Sequence, residues 1–364
     1  MAKPAKNAAT GGLMSKIRGN SSLKYIDTLD QSVVFNDKDS IRTSCPALNV
    51  ALSGELFGGY QSGLTIFAGP SKHYKSMLGL RCVAAYLKKH PDSVCLFVDS
   101  EFGITPDYLK ANGVDPARVL HAPVEHIEQM KFEIVGQLDK LVRGEKLVIF
   151  VDSLGNCPSK KELQDALDEK EKADMSRAKS IKSFFRMCTP LLNIKDVPMI
   201  VINHVYEEQG LFAKTIMSGG TGPYLSADTI LFISRAQEKD GTEVVGYNFN
   251  LRVEKGRLSK EKSVIPINVT WAGGFNPFSS LFSMAQDCGI INEVTKGWYQ
   301  FVNADTGEIL IEKAQKSKFG KDQFLQLLKM KKFEADVKEM YHIPPTNVDQ
   351  DLQDDLDEVM NGRY

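Results

Sequence analysis

The chain has 364 residues, 42% of them hydrophobic, with 45 Lys and Arg against 46 Asp and Glu and a formal net charge of −1. That size and balance point to an ordinary globular protein of one large domain with appendages, and no apolar run is long enough to span a membrane. The six cysteines (Cys45, Cys82, Cys95, Cys157, Cys188, Cys288) are scattered with no Cys-x-x-Cys, which excludes a zinc site or disulfide framework and suits a reducing cytoplasm.

The first segment, Met1–Lys24, carries five Lys or Arg and no acid and lacks the apolar stretch of a secretory signal, so it reads as a flexible basic arm, disordered in part. Tyr25–Val34, just after it, is expected to dock on a neighbouring copy. Apolar runs of strand length follow at Leu64–Ala68, Val94–Val98, Leu147–Val151, Met199–Ile202 and Thr229–Ile233. Helical patterns lie at Lys75–Lys89, Ile127–Leu141 and Ala173 to about Ile194. Strands that are apolar throughout, not alternating, are buried on both faces, which predicts a parallel sheet sandwiched by helices. The alternating runs Tyr247–Val253 and Val264–Val269 predict an antiparallel extension. From Gly273 the composition shifts, and Ser279–Gly289 and Gln323–Lys332 read as helices of a small second domain. Lys313 to Lys332 holds seven lysines against one aspartate, and Thr346 to Tyr364 holds six carboxylates against Arg363. Either run alone is commonly a solvated surface; together they suggest a nucleic-acid surface with a built-in competitor.

The strand Leu64–Ala68 runs into Gly69, Pro70, Ser71, Lys72, His73, Tyr74, Lys75 and Ser76 and then into an apolar helix. This is the context of a phosphate-binding loop: backbone N–H groups and the helix start cradle phosphates, Lys75 reaches the β/γ oxygens, and Ser76 takes a place on Mg²⁺. Tyr74 stands where the usual pattern has its second glycine, and the bare string arises by chance in about one chain of this length in five, so a plain strand-turn-helix remains the alternative.

Ligands of a doubly wound sheet bind beyond the carboxyl ends of its strands. There stand Asp152, able to orient Mg²⁺ or merely to cap a loop, and Glu101, able to deprotonate an attacking water, with Asp99 competing for that role. His204 follows Ile200–Asn203 and either bonds a γ-phosphate or serves structure alone. The glycines of Gly219-Gly-Thr-Gly222 make Val205–Ser218 a hinged loop. Another segment, Gly155 to about Ala173, carries Lys160, Lys161, Lys170 and Lys172 among alternating carboxylates and is either a loop or a solvated helix face; beyond it Lys179, Lys182 and Arg186 form one cationic stripe, suited to backbone phosphates or to solvent.

Jointly, Gly69-Pro-Ser-Lys-His-Tyr-Lys-Ser76, Asp99-Ser-Glu-Phe-Gly-Ile-Thr-Pro106, Val151-Asp-Ser-Leu-Gly-Asn156, Gly219-Gly-Thr-Gly-Pro223 and Val253-Glu-Lys-Gly-Arg257 resemble the signatures of RecA-type recombinases, and most closely the branch found in T4-like bacteriophages. The resemblance runs from about Val34 to the acidic tail, and that branch is similar in carrying an aromatic at the position of Tyr74. It implies that Glu101 is the general base, Asp152 the Mg²⁺-orienting acid and Tyr108 the residue that stacks on adenine. His204 occupies the place of a sensing glutamine. Lys255 and Arg257 match cations inserted toward a neighbour's triphosphate, although sequence alone favours two solvent-facing strand residues. The segments 155–173 and 205–222, with Lys160, Lys161, Lys179, Arg186, Gly219, Gly220 and Thr221, match DNA-binding loops and their surroundings.

The fold expected is therefore α/β, a RecA-like P-loop ATPase core with a mostly parallel sheet flanked by helices. Its divisions are an N-terminal oligomerisation arm (1–40), the core (41–272), a small C-terminal domain (273–343) and an acidic tail (344–364). The function expected is that of an ATP- and Mg²⁺-dependent recombinase forming helical filaments on single-stranded DNA and exchanging it into a duplex. Its partners would include a phage recombination mediator and a single-strand-binding protein, in the cytoplasm of an infected bacterial host. A hexameric helicase and a non-catalytic accessory paralogue are the alternatives; the four groups Lys75, Ser76, Glu101 and Asp152 speak against the second.

Overall fold

The computed structural model describes residues 5–36, 38–169, 176–208, 215–344 and 360. Its helices are α1 (Ala5–Gly19), α2 (Val33–Asn36), α3 (Pro46–Ser53), α4 (Lys75–Lys89), α5 (Pro106–Ala111), α6 (Ile127–Lys140), α7 (Lys160–Leu167), α8 (Ser176–Lys195), α9 (Thr221–Ser226), α10 (Leu281–Asp287), α11 (Lys321–Leu327) and α12 (Lys331–Tyr341). The strands are β1 (Gly63–Ala68), β2 (Val94–Asp99), β3 (Val119–Pro123), β4 (Leu147–Asp152), β5 (Pro198–Asn203), β6 (Val205–Glu207), β7 (Thr215–Met217), β8 (Thr229–Asp240), β9 (Glu243–Gly256), β10 (Val264–Thr270), β11 (Gly274–Phe275), β12 (Ile291–Thr295), β13 (Trp298–Val302) and β14 (Ile309–Gln315).

Nine strands form one sheet in the order β11-β10-β9-β8-β1-β5-β4-β2-β3. The six from β8 to β3 are parallel, and β9, β10 and β11 continue the sheet antiparallel. The central strands are apolar at every position because alternate residues feed two separate cores. Phe67, Phe97, Phe150 and Ile200 pack on one face with α3, α4 and the C-terminal helices; Ile66, Val98, Ile149 and Val201 pack on the other with α6 and α8. Burial of a side chain of this size contributes about 1.5–3 kcal/mol relative to exposure, so these two layers hold the strand ends, and the groups on them, in fixed register.

The C-terminal residues form the three-stranded sheet β12-β13-β14 with α10 to α12. Their apolar side chains, among them Phe282, Phe301, Phe319 and Phe333, belong to the same contiguous cluster as α3 and α4. The end of α12 is tied back to the core where Lys260 N–H donates to Tyr341 O. Among the described residues no helix is long and apolar enough to cross a membrane.

The structure corrects three sequence expectations and adds one strand. The basic arm is helical from Ala5, its first four residues lying outside the described set. The segment 155–173 is not loop throughout: Ser159 and Glu162 close a capping box that starts α7. Gln323–Lys332 is two helices, because Asp305 accepts from the N–H groups of Lys331 and Lys332 and begins α12 there. β3 went unrecognised, since Leu120 and Pro123 on an edge strand give neither alternation nor a continuous apolar run. The acidic tail from 345 and residues 170–173 and 209–214 of the two loops, including Lys170 and Lys172, lie outside the described residues, save residue 360.

Candidate active site

The carboxyl ends of β1, β2, β4 and β5 open together on a cavity of about 380 Å³. Its lining includes Ser71, Lys72, His73, Tyr74, Lys75, Ser76, Glu101, Tyr108, Asp152 and His204, so one mouth gathers nearly all the residues singled out for nucleotide, cation and base. Gly69 and Pro70 form its neighbouring wall on the side of β8. Gly69 also sits close under β8, where a Cβ would lie 2.7 Å from Ile233 O.

The odd residue of the loop has a backbone reason. Tyr74 lies at φ +55 as the N-cap of α4, the left-handed region for which the common motif uses glycine. Its ring is compensated by packing 4.6 Å from that of Phe249 on β9. Lys75, only 6% exposed, donates from Nζ to Pro70 O at 2.8 Å across the loop. Burial lowers its pKa, opposed by the charges of Glu101 and Asp152.

Asp152 is 4% exposed and hydrogen-bonded to Ser76, while its Oδ1 has no hydrogen-bond partner. Burial pushes its carboxyl up to about 7, with Glu101 and Asp99 adding repulsion and Lys75 opposing. A buried, unpartnered carboxylate oxygen beside a serine hydroxyl is a donor set that fits a hard divalent cation.

Glu101 is gripped through Oε1, which accepts from His204 Nε2 at 2.9 Å, Asn156 Nδ2 at 3.0 Å and Ser153 Oγ. The bonds from His204, first, and Ser153, with the charge of Lys75, lower its pKa against partial burial. Asp99 is differently employed: its Oδ1 accepts from the N–H groups of Glu101 (2.9 Å) and Phe102 (2.8 Å), and its Oδ2 from His121 Nε2 (3.1 Å). Glu101 lines the cavity and Asp99 does not.

His204 links the cavity to both loops. Gly155 packs against it so closely that a Cβ there would lie 2.4 Å from His204 Cδ2. Ser218 N–H donates to His204 O, and Asn203 Nδ2 donates to Ser218 O, each at 2.9 Å. Arg177 on α8 binds the carbonyls of Leu154, Gly155 and Cys157 and lies 3.4 Å from Ser218 Oγ. Sequence reasoning missed Ser153, Asn156, Asn203 and Arg177. Only Asn203 carried a local signal, as the polar residue before His204 at the end of an apolar strand.

The remaining sites lie elsewhere. Lys179, Lys182 and Arg186 are exposed on α8, whose opposite face buries Ile181, Phe184 and Phe185. Gly219 and Gly220 have φ +94 and +68, and Gly219 packs on Ile181, which brings the start of α9 and Thr221 beside the stripe. Lys160 and Lys161 stand on the first turn of α7. Lys255 and Arg257 are not at the cavity. Lys255 donates to the carbonyls of Tyr224 (2.9 Å) and Leu225 (3.2 Å), and burial lowers its pKa. Arg257 pairs with Asp228, which accepts from Leu64 N–H at the start of β1. From Leu64 to Ala68 the strand covers about 13 Å, so cations and loop occupy opposite ends of β1.

Residues 13–276 match the family model described as the RecA N-terminal domain. The chain is similar to the recombination and repair protein of Enterobacteria phage T4, 47% identical over 358 residues that cover 96% of this chain and 91% of that protein. It is also similar to Protein RecA of Cutibacterium acnes, 27% identical over 274 residues covering 74% and 75%, and of Rhodopseudomonas palustris, 27% identical over 315 residues covering 83% and 85%.

Proposed function

The chain belongs to the RecA family, and from that premise we propose that it is an ATP-dependent DNA recombinase. It polymerises as a helical filament on single-stranded DNA and exchanges that strand into a homologous duplex, in phage recombination, repair and recombination-dependent replication. The observation that carries this reading is the junction at His204, which touches the base Glu101, the start of one loop at Gly155 and the end of the other at Ser218.

The loop from Gly69 to Ser76 and the start of α4 bind the triphosphate, Lys75 leaves Pro70 O to meet its β/γ oxygens, and Tyr108 stacks on adenine. Ser76 and Asp152 hold Mg²⁺, which when bound neutralises charge on the phosphates. Glu101 takes the proton of the attacking water, its low pKa keeping it ionised. His204 donates either to Glu101 or to a γ-phosphate, and that exchange moves the two loops between high and low affinity for DNA. Lys160, Lys161, Lys179, Arg186 and the backbone at Gly219, Gly220 and Thr221 contact DNA phosphates, so affinity falls steeply with salt.

For assembly, Lys255 and Arg257, which lie away from the cavity of their own chain, are assigned to the ATP site of the next copy, as an arginine finger is. The edge of β3 is open among the described residues, beside a cavity of about 720 Å³ with Val94, Leu96, Leu120 and Leu141 and the acids Asp92, Glu133 and Glu145. The arm offers exposed Leu13, Met14 and Ile17 with Lys16 and Arg18, a complementary basic and apolar surface. A phage mediator and a single-strand-binding protein are the proposed further partners, in the host cytoplasm.

ATP hydrolysis with and without single-stranded DNA, together with electron microscopy of the product, tests the whole reading. Helical filaments with DNA-stimulated turnover are expected. Closed rings, or no turnover, would overturn it.

A further inference from the structure

We infer that Asp99 is the positioning residue of Glu101 and that His121 holds Asp99 to that task. The inference rests on the reading of Glu101 as base and extends it one layer outward. Asp99 ends β2 only 2% exposed, and its carboxylate is fully engaged. The two N–H groups on Oδ1, from Glu101 and Phe102, belong to the turn that decides where the Glu101 side chain points. Phe102 sits at φ +58, a left-handed conformation that a phenylalanine rarely adopts, so the turn depends on acceptors that hold it.

A second fastening runs to β4. Ser100 Oγ donates to Ser153 O at 2.7 Å and accepts from Ser153 N–H at 3.2 Å, while Ser100 N–H donates to Asp152 O at 2.9 Å. Three consecutive residues thus divide the work: Asp99 aims the turn, Ser100 fixes it to the strand bearing Asp152, and Glu101 faces the cavity. His121 comes from the next strand, β3; its Nε2 donates to Asp99 Oδ2 and its ring packs 5.4 Å from that of Phe97. A carboxylate whose acceptors are all directed cannot rotate, and so neither can the peptide bonds it holds.

The test measures kcat and KM for ATP at saturating single-stranded DNA, and affinity for a fluorescent ATP analogue, in D99A, D99N, H121F and H121Q. For D99A, kcat is expected to fall about 100-fold while KM and analogue affinity stay within about threefold, because misplacing the base leaves the phosphate cradle intact. D99N keeps an amide oxygen for both N–H groups, and its Nδ2 donates to His121 Nε2 in the other imidazole tautomer, so it is expected to retain kcat within about threefold, which a base at this position could not do. H121F is expected to lose about tenfold in kcat and H121Q, which still donates, to recover most of it.

Unchanged kcat in D99A, equal losses in affinity and kcat, or equal damage in D99N and D99A would each overturn the inference. If circular dichroism shows that D99A does not fold, the His121 pair decides, and identical kcat values for H121F and H121Q sink the proposal. A native protein without DNA-stimulated hydrolysis would instead overturn the reading of the site itself, an outcome distinct from an active native protein matched by D99A.

Discussion

At the carboxyl end of β1 the charged groups are held by neutral neighbours and His204: Lys75 and Asp152 are nearly closed from solvent, and Glu101, more open, accepts hydrogen bonds from three residues. At its amino end the cations are outward: the Arg257 side chain is 70% exposed beside Asp228, and Lys255 rests on two carbonyls at the end of α9. The first arrangement is pre-organised, with burial shifting Lys75 and Asp152 and hydrogen bonds shifting Glu101; the second is a pair of side chains resting on backbone carbonyls and one carboxylate, away from the cavity. The contrast teaches that this sheet carries two unlike groups of charges at opposite ends of one strand, which under the proposed assembly would become one site only when copies stack end to end.

The largest effect belongs to the exposed half. Lys255→Ala is expected to lower DNA-stimulated hydrolysis about 10³-fold while leaving nucleotide affinity of the isolated chain unchanged, as loss of a cation supplied in trans does. Mixed with Lys75→Ala subunits it should regain measurable turnover, because some interfaces then have both halves intact; a mixture as inactive as its parts would break the comparison. Glu101→Ala in the buried half is expected to cost about 10²- to 10⁴-fold in turnover while ATP-dependent binding to single-stranded DNA persists in a filter or anisotropy assay.

Acidity sharpens the contrast further. The Asp152 carboxyl, pushed up to about 7, must lose its proton before a cation binds, so Mg²⁺ affinity by calorimetry is expected to fall about tenfold per pH unit below 7 and level off above it. With a chelator present the sign for stability is opposite. The raised pKa means that this group favours the folded state most at acid pH, and the contribution fades as pH rises through 7, a slope that Asp152→Asn removes.

The smallest effect is at Tyr74. Its left-handed backbone costs about 1–2 kcal/mol, and the ring contact with Phe249 returns about 0.5–1.5 kcal/mol. Tyr74→Gly is therefore expected to shift the melting temperature by only a few degrees and to keep hydrolysis; abolished turnover would give the ring a role beyond packing.

The parallel sheet and the strand ends bearing Asp99 to Glu101, Asp152 and Asn203-His204 were legible in sequence because a strand buried on both faces is apolar nearly throughout, so the polar residues that close it stand out. The loop from Gly69 to Ser76 stood out for the same local reason, a polar turn directly after an apolar strand. The grip on Glu101 was not: Asn156 lies 55 residues away and His204 103, and no periodicity links them. Arg177 carried no signal in the sequence, yet it bonds three carbonyls of the loop before α7. The choice between Asp99 and Glu101, two residues apart, needed the direction of each side chain, which alternation along an ending strand does not fix once a turn begins.

Asp228 gives the last consequence. The same carboxylate that pairs with Arg257 caps Leu64 N–H, and Asp228 N–H in turn donates to Leu64 O, so the outward cation is bolted to the backbone of β1. β1 is buried along its whole length and hydrogen-bonded on both sides, which makes it a stiff rod. In a stack of copies each rod would carry an arginine at one tip and a phosphate loop at the other, so that a displacement at one nucleotide is transmitted along the column with little loss, like load through the spacers of a strut.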